Sequence, residues 1–449
     1  MTLSKKIIAS LTLAAAAGLS NSAFAAGFQL NEQSITGMGR SYAGEGIIGD
    51  DLSAAWYNPA GMTLLPGTQI QVGGYDVEMD LSYKGENGST ENGRKRSSPI
   101  LHQFITHQFN DQLWGGMAIT MPYGMSTSFG NDWEGAERGY DARLLTVTLN
   151  PSLAWKLSDK VSLGAGFQAQ HIDATLSMKK QVSIGTKSVS ANSRLEASDW
   201  GYGWNVGAMW SPSDNLRVGF GYRSQMNHHA RGHVKMSIDD STRENLNSLP
   251  ANYKTAILKV LNQQGISPTS AVSLMNAGSV TLPGGAGMKS PANANLTFTY
   301  KYSPTLRLSG ALRWTNWASL DTLSITAGSL PHEATDVKMN WRDTWFASLG
   351  YDLDLSSKWT IRGGVAYDRS PIKNAKDRTA LVPDANRLWA SLGATYRYDE
   401  HWQFDVAALH VHAIGNRDLY SSNGEDAKKL GRFDKLNSYL FGAGLVYRF

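Results

Sequence analysis

Along most of the chain, apolar residues return at every second position while the positions between them are small or polar. In the closing stretch YLFGAGLVYRF, Tyr439, Phe441, Ala443, Leu445, Tyr447 and Phe449 fall on one face, opposite Leu440, Gly442, Gly444, Val446 and Arg448. Trp359, Ile361, Val365 and Tyr367 oppose Thr360, Arg362, Gly364 and Asp368, and Leu145, Val147, Leu149, Leu153 and Trp155 oppose Thr146, Thr148, Asn150 and Ser152. A period of two belongs to β-strands whose two faces meet different surroundings. A soluble sandwich alternates too, but apolar faces that so often begin or end in Trp or Tyr point to a membrane barrel with aromatic girdles.

The pattern predicts strands near 67–83, 98–109, 113–121, 142–158, 160–178, 200–212 and 215–236, then near 292–303, 305–327, 335–354, 357–370, 385–399, 401–414 and 436–449. That makes about fourteen, an even number, which puts both ends of a single-chain barrel on the periplasmic side. Ser158-Asp159-Lys160, Ser211-Pro212-Ser213-Asp214 and Asp399-Glu400 supply short turns there, and longer connections alternate with them. Residues 26–66 and the loop 237–291 do not alternate. Within that loop, Tyr253 to Leu261 and Ser270 to Met275 read as short amphipathic helices. Their apolar faces either meet a greasy partner or pack on one another and cap the barrel.

At the N-terminus, Lys5-Lys6 precede an apolar run from Ile7 to Leu19 and a small-residue site, Ala23-Phe24-Ala25, which reads as a secretory signal over residues 1–25 cut after Ala25. No later apolar run reaches the roughly 20 residues that a membrane-spanning helix needs. Composition narrows the class further. Cysteine is absent, which excludes disulfides, thiolate metal sites and cysteine nucleophiles. The 14 Trp and 18 Tyr suit interface girdles better than a soluble core, and a net charge of +4 without a basic block gives no sign of nucleic-acid binding.

The mature start AGFQLNEQSITGMGRSYAGEGIIGDDLSAAWYNPAGM resembles the opening of the FadL family, the outer-membrane long-chain fatty acid transporters. Asn110-Asp111-Gln112 with Gly115-Gly116, Trp314-Thr315-Asn316-Trp317, Trp341-Arg342-Asp343, Tyr367 to Pro371 and Val382 to Arg387 extend the resemblance, in order, over essentially the whole mature chain. It implies an all-β fold: a transmembrane antiparallel β-barrel of about 14 strands over residues 67–449, with residues 26–66 folded inside the lumen as a hatch. It also implies functional sensitivity at Asn58, Pro59, Asp343 and Arg387. A third implication is sideways exit through a kink in the third strand, for which the paired glycines Gly115 and Gly116 are the candidates because glycine permits a bend or bulge; their other role is to make room for hatch side chains.

A long-chain fatty acid needs a dry pocket for its tail and a cation or donors for its carboxylate. Parity turns Arg387, Trp389 and Ser391 to the lumen, opposite Leu388, Ala390, Leu392 and Ala394. Arg307, Arg313 and Arg342 also face inward, either to meet a head group or to satisfy lumen carboxylates and anchor the hatch. Asp343 shares a face with Trp345, so it lies near the rim, or a bulge rephases the strand, or the strand begins later. In the opening stretch Asp51 is expected to cap a helix over residues 52–56, and Pro59 to stop it, making Asn58-Pro59-Ala60 a fixed corner. The candidate ligand and transport set is therefore Phe28, Asn58, Pro59, Ala60, Arg342, Asp343, Arg387 and Trp389.

No Gly-x-Ser-x-Gly elbow, His-Glu-x-x-His motif or Walker loop is present, and no cofactor is implied. His228, His229 and His233 cluster near a strand end without supporting carboxylates, and His410 and His412 share a face without an evident Ser partner. Three alternatives to a fatty acid transporter stand: a transporter of neutral aromatic or alkane hydrocarbons, a general porin, and an outer-membrane lipase. The expected contacts are the hydrophobic ligand and outer-membrane lipid with its lipopolysaccharide, and a closed barrel needs no partner to cover an edge, so a monomer is expected.

Overall fold

The structure, a computed structural model, describes residues 27–94, 99–184, 187–263, 266–328 and 337–449. The predicted signal segment, 1–25, lies outside the described residues. Fourteen antiparallel strands close on themselves: β1 Thr68–Gly85, β2 Ile100–Gln108, β3 Leu113–Thr120, β4 Asp141–Lys156, β5 Val161–Ile184, β6 Lys187–Ser213 and β7 Leu216–Arg223, then β8 Asn293–Lys301, β9 Leu306–Thr315, β10 Thr344–Asp354, β11 Trp359–Asp368, β12 Asn386–Arg397, β13 Trp402–Ile414 and β14 Lys429–Arg448. Closure comes from β1 against β14, in the register Ile70↔Tyr447 and Tyr75↔Gly442.

Alternation sets the two faces. On β12, Leu388 and Leu392 are exposed while Arg387, Trp389, Ser391 and Thr395 are buried, and on β4 Leu149, Leu153 and Trp155 are exposed while Thr146, Thr148, Asn150 and Ser152 are buried. The exposed band continues around the wall through Phe167, Trp204, Phe220, Phe298, Leu312, Leu349 and Phe441. Such an apolar exterior around a polar interior suits a barrel solvated by lipid outside.

Several connections are more ordered than their sequence pattern predicts. Residues 187–199, expected as loop, belong to β6, and the β5–β6 hairpin stays paired from Val161↔Trp210 to Ile184↔Lys187. Strands of 24 and 27 residues far exceed the roughly 10 that cross a membrane, and their outer halves need only ladder hydrogen bonds, which leave no apolar signature. Likewise Ser279–Ser290, assigned to the long loop, pairs with Met226–Ser237. The same loop contains α-helices at Asp240–Asn247, Ala251–Gln263 and Pro268–Ala277, whose Leu246, Ile257, Leu261, Ala271 and Leu274 pack into one cluster.

Residues 27–66 fill the lumen and are nearly all buried. Helix α1, Ile35–Gly39, is capped by Ser34, which accepts from the Gly37 amide at 2.9 Å. Helix α2 is shorter than predicted, Ala54–Tyr57, and starts two residues later; the Asp51 carboxylate accepts from the Ser53 amide at its entry, at 3.2 Å. Asp51 also accepts from Ser53 Oγ at 2.6 Å and from the hydroxyls of Ser34 and Thr36, tying the two halves of the plug together. A buried ion network fastens the plug to the wall: Arg40 lies 2.7 Å from Asp50 and 3.1 Å from Asp352 of β10, and Arg362 of β11 lies 2.7 Å from Asp352.

Candidate functional site: an apolar chamber over a docked plug

The extracellular half of the lumen holds a chamber of about 50 Å³, lined by Phe28 of the plug, Met125, Leu144, Ile172, Ala230, Met288, Leu320, Met339, Leu381 and Val382, with Thr379 as a polar neighbour. Phe28 is its floor, set edge-on to Trp317 at 4.8 Å between ring centroids, with Trp341 at 5.9 Å and Tyr123 at 6.1 Å. The loop bearing Thr379, Leu381 and Val382 is held by Arg378, which donates to the carbonyls of Asp384 at 3.0 Å and Asn416 at 2.8 Å. Burial pushes the Arg378 guanidinium down to about 10, which leaves it a cation at neutral pH.

Below Phe28 the plug replaces hydrogen bonds missing from the wall. The β2–β3 ladder ends at Gln103↔Ile119 and the β3–β4 ladder at Thr120↔Thr148; the chain bonds to β4 again at Tyr123, through the amide and hydroxyl of Thr146, and regains regular pairing at Gly124↔Leu145. The residues between would leave backbone groups unpaired in a buried place, an arrangement costing about 1–3 kcal/mol per group. The plug supplies the partners: Leu30 N donates to Pro122 O at 2.7 Å, and Phe28 O accepts from Gly124 N at 2.9 Å. The Gln33 amide completes the set, accepting from Met121 N at 3.1 Å and donating to Met121 O at 2.9 Å.

The interruption in the third strand therefore lies at Met121-Pro122-Tyr123 and not at Gly115-Gly116. Both glycines sit in regular ladder, paired as His107↔Gly115 and Gly116↔Ser152. Gly116 faces the plug, and a Cβ there would stand 2.5 Å from Met62 Sδ. It makes room for the plug, whereas Pro122, which has no amide hydrogen, marks the break.

The corner Asn58-Pro59-Ala60 forms as expected. Asn58 is extended, with φ −154°, and its Oδ1 accepts from Ala60 N at 3.2 Å while Nδ2 donates to Ala208 O at 3.0 Å. It fits a notch cut by glycines of three strands: a Cβ on Gly207 would lie 2.0 Å from Asn58 Oδ1, one on Gly164 2.6 Å from Ala60 N, and one on Gly219 2.9 Å from Asn58 Nδ2. The corner thus seats the plug and lies apart from the chamber lining.

Arg387 faces the lumen and is buried, but its charge is shared with Asp384 and with Asp368 at 3.6 Å. Asp384 also accepts from Gly27 N at 3.1 Å, so this pair anchors the start of the plug. Trp389 packs 5.2 Å from Phe346 and 6.3 Å from Tyr42 of the plug, below the chamber. Arg342 is half-buried and donates to Ser370 O at 3.1 Å. Asp343 precedes β10 at the rim, where it accepts from Trp314 Nε1 at 3.1 Å, Asn316 Nδ2 at 3.0 Å and Ala318 N at 3.1 Å. No bulge turns it inward; it holds the turn carrying Trp317, which supports Phe28.

The arginine that parity analysis passed over is Arg223. Val218, Phe220 and Tyr222 of β7 point outward, which turns Arg217, Gly219, Gly221 and Arg223 inward, so the signal was present in the sequence. Arg223 is 6% exposed and stacks on Trp56, its guanidinium carbon 3.4 Å from the ring centroid. The histidine cluster does not converge, since His228 is buried toward the lumen while His229 and His233 are exposed. Among the described residues no group of three or more His, Asp or Glu side chains is placed to hold a metal.

Residues 16–449 match the family described as outer membrane protein transport protein (OMPP1/FadL/TodX). A long-chain fatty acid transport protein of Escherichia coli O6:H1 is 28% identical over 461 residues, covering 97% of each chain. Among solved structures, a Pseudomonas aeruginosa FadL homologue superposes with a TM-score of 0.82 at 23% identity, over 94% of this chain and 100% of that one. The Pseudomonas putida toluene transporter TodX superposes with a TM-score of 0.66 at 14% identity, over 89% and 94%.

Proposed function

The chain belongs to the OMPP1/FadL/TodX family of outer-membrane transport proteins, and on that premise we propose that it takes up long-chain fatty acids by binding them in the chamber above Phe28, moving the plug, and releasing them sideways past the break at Met121-Pro122-Tyr123. The observation that carries this reading is the chamber itself, a nearly all-apolar space floored by the plug. Burying an acyl chain there stabilises it by about 0.8 kcal/mol per methylene. At about 50 Å³ the chamber is far smaller than the roughly 300 Å³ or more of a ligand-filled pocket, so binding requires Phe28 and its neighbours to move. Because Phe28 O and Leu30 N are bonded to the interrupted strand, that motion also frees the wall beside it.

A plug-filled lumen argues against a general porin, and no observation here supports hydrolysis. A monomer surrounded by outer-membrane lipid and lipopolysaccharide fits the closed wall. The second reading is a neutral hydrocarbon ligand, favoured by the scarcity of polar groups around the chamber. Titration of the purified barrel with oleate and with toluene separates the two. Saturable binding with preference for oleate is expected; preference for toluene, or no saturable oleate binding, overturns the substrate assignment.

A further inference from the structure

Below the partition made by Phe28 and Tyr123 lies a polar cleft of about 30 Å³, lined by Gln29, Leu30, Tyr57, Tyr123, Arg223 and Arg313 among others. Its volume is roughly that of one water molecule in the liquid, and any displacement of Gln29 and Leu30 with the plug enlarges it. Two cations face this space, and their surroundings differ. Arg313 is ion-paired with Glu45 of the plug. Arg223 donates to Gln168 Oε1 at 2.5 Å, to Asn150 Oδ1 at 3.4 Å and to the Trp56 carbonyl, all neutral acceptors.

Arg40, Arg313, Arg362 and Arg387, the other buried arginines of the plug and strands, each sit against an Asp or Glu; Arg378 of the loop above the chamber is also buried without one, but all three of its guanidinium nitrogens donate to main-chain carbonyls, of Asp384, Asp418 and Asn416. Among the described residues no carboxylate lies within ion-pairing distance of Arg223. A charge taken out of water without a counter-charge costs several kcal/mol, and neutral amides and a ring face offset only part of it. Its bonds to Gln168, Asn150 and the Trp56 carbonyl use Nη1 and Nη2, so the fork is fixed in place while its charge stays unpaired. The guanidinium also presents planar, forked donors, the shape that matches a carboxylate.

We infer that Arg223 is the carboxylate subsite of the transport path. Resting on the fatty acid reading above, this places the tail of an amphipathic ligand in the apolar chamber and its anionic head in the cleft one layer below, once the partition opens. The head group supplies the counter-charge that the fold withholds. Carboxylates with long tails are therefore selected over neutral molecules of the same shape.

Oleate and its uncharged analogue methyl oleate test this on the purified full-length barrel, using wild type, Arg223→Gln and Gln168→Glu. The second variant leaves the arginine in place and neutralises it internally, so it serves even where Arg223→Gln fails to fold. Wild type is expected to bind oleate at least tenfold more tightly than methyl oleate, and both variants to lose that margin while binding methyl oleate as wild type does. Wild-type oleate affinity retained in Gln168→Glu, or equal loss of both ligands in the variants, overturns the Arg223 assignment. Absence of saturable oleate binding by wild type overturns the fatty acid reading beneath it.

Discussion

Replacing Gln33 by leucine removes the side chain that stands in for a strand at the break in the wall. Two backbone groups lose their partners, Met121 N, which donates to Oε1 at 3.1 Å, and Met121 O, which accepts from Nε2 at 2.9 Å. Each buried group left unsatisfied costs about 1–3 kcal/mol, and since Met121 is half-buried the sum is about 2–3 kcal/mol. The loss falls on docking of residues 28–33, because the barrel ladder does not involve Gln33. At about 1.4 kcal/mol per decade, the undocked plug becomes roughly 30- to 150-fold more populated. Hydrogen exchange at Leu30 and Gly124, whose amides close the bonds to Pro122 and Phe28, reads that population directly. Exchange at these amides is expected to accelerate by the same factor while Val365, paired to Leu349 and Ala390 in the wall, is unchanged. Unchanged exchange at Leu30 and Gly124 refutes the claim that Gln33 latches the plug.

Two further perturbations probe the seat and the rim. Gly207→Ala puts a Cβ 2.0 Å from Asn58 Oδ1 and is expected to weaken plug seating by about 1–3 kcal/mol, the usual cost of overpacking; protease sensitivity confined to residues 27–66, with normal heat-modifiable migration of the barrel, is the readout. Asp343→Ala removes three hydrogen bonds that hold the Asn316–Trp317 turn, and oleate affinity is expected to fall several-fold through loss of the Trp317 support under Phe28. Unaltered affinity would show that the turn is fixed by packing alone.

What was legible in the sequence follows from which surfaces each residue meets. The strands of the lipid-facing band could be read because their outer faces, such as Leu388 and Leu392, must be apolar, so alternation survives in one dimension. Above the membrane that demand ends, and residues 187–199 and 279–290 form strands on main-chain bonding without an apolar stripe. Gly115-Gly116 invited a kink because paired glycines bend strands as readily as they make space, and only the position of Met62 distinguishes the two. The corner at Asn58-Pro59 could be read from proline geometry, while its notch of Gly164, Gly207 and Gly219 is spread over 56 residues of chain. Arg387 was the obvious inward cation, yet Asp384, three residues earlier, occupies it. Arg223 showed the same parity in a short, glycine-rich strand and was overlooked, and its lack of a counter-charge is a three-dimensional fact.

The central claim is that the plug must leave the interrupted strand for substrate to pass. Gln29 and Tyr123 face each other in an antiparallel bridge, a geometry with a Cα separation of about 4.5–5.5 Å, within reach of a disulfide. The chain has no cysteine, so a Gln29→Cys/Tyr123→Cys variant carries a single possible crosslink. The direct measurement is labelled-oleate uptake by cells expressing this variant, oxidised and then reduced. The account predicts uptake abolished by oxidation and restored by reductant; equal uptake in both states, with the crosslink verified, contradicts it.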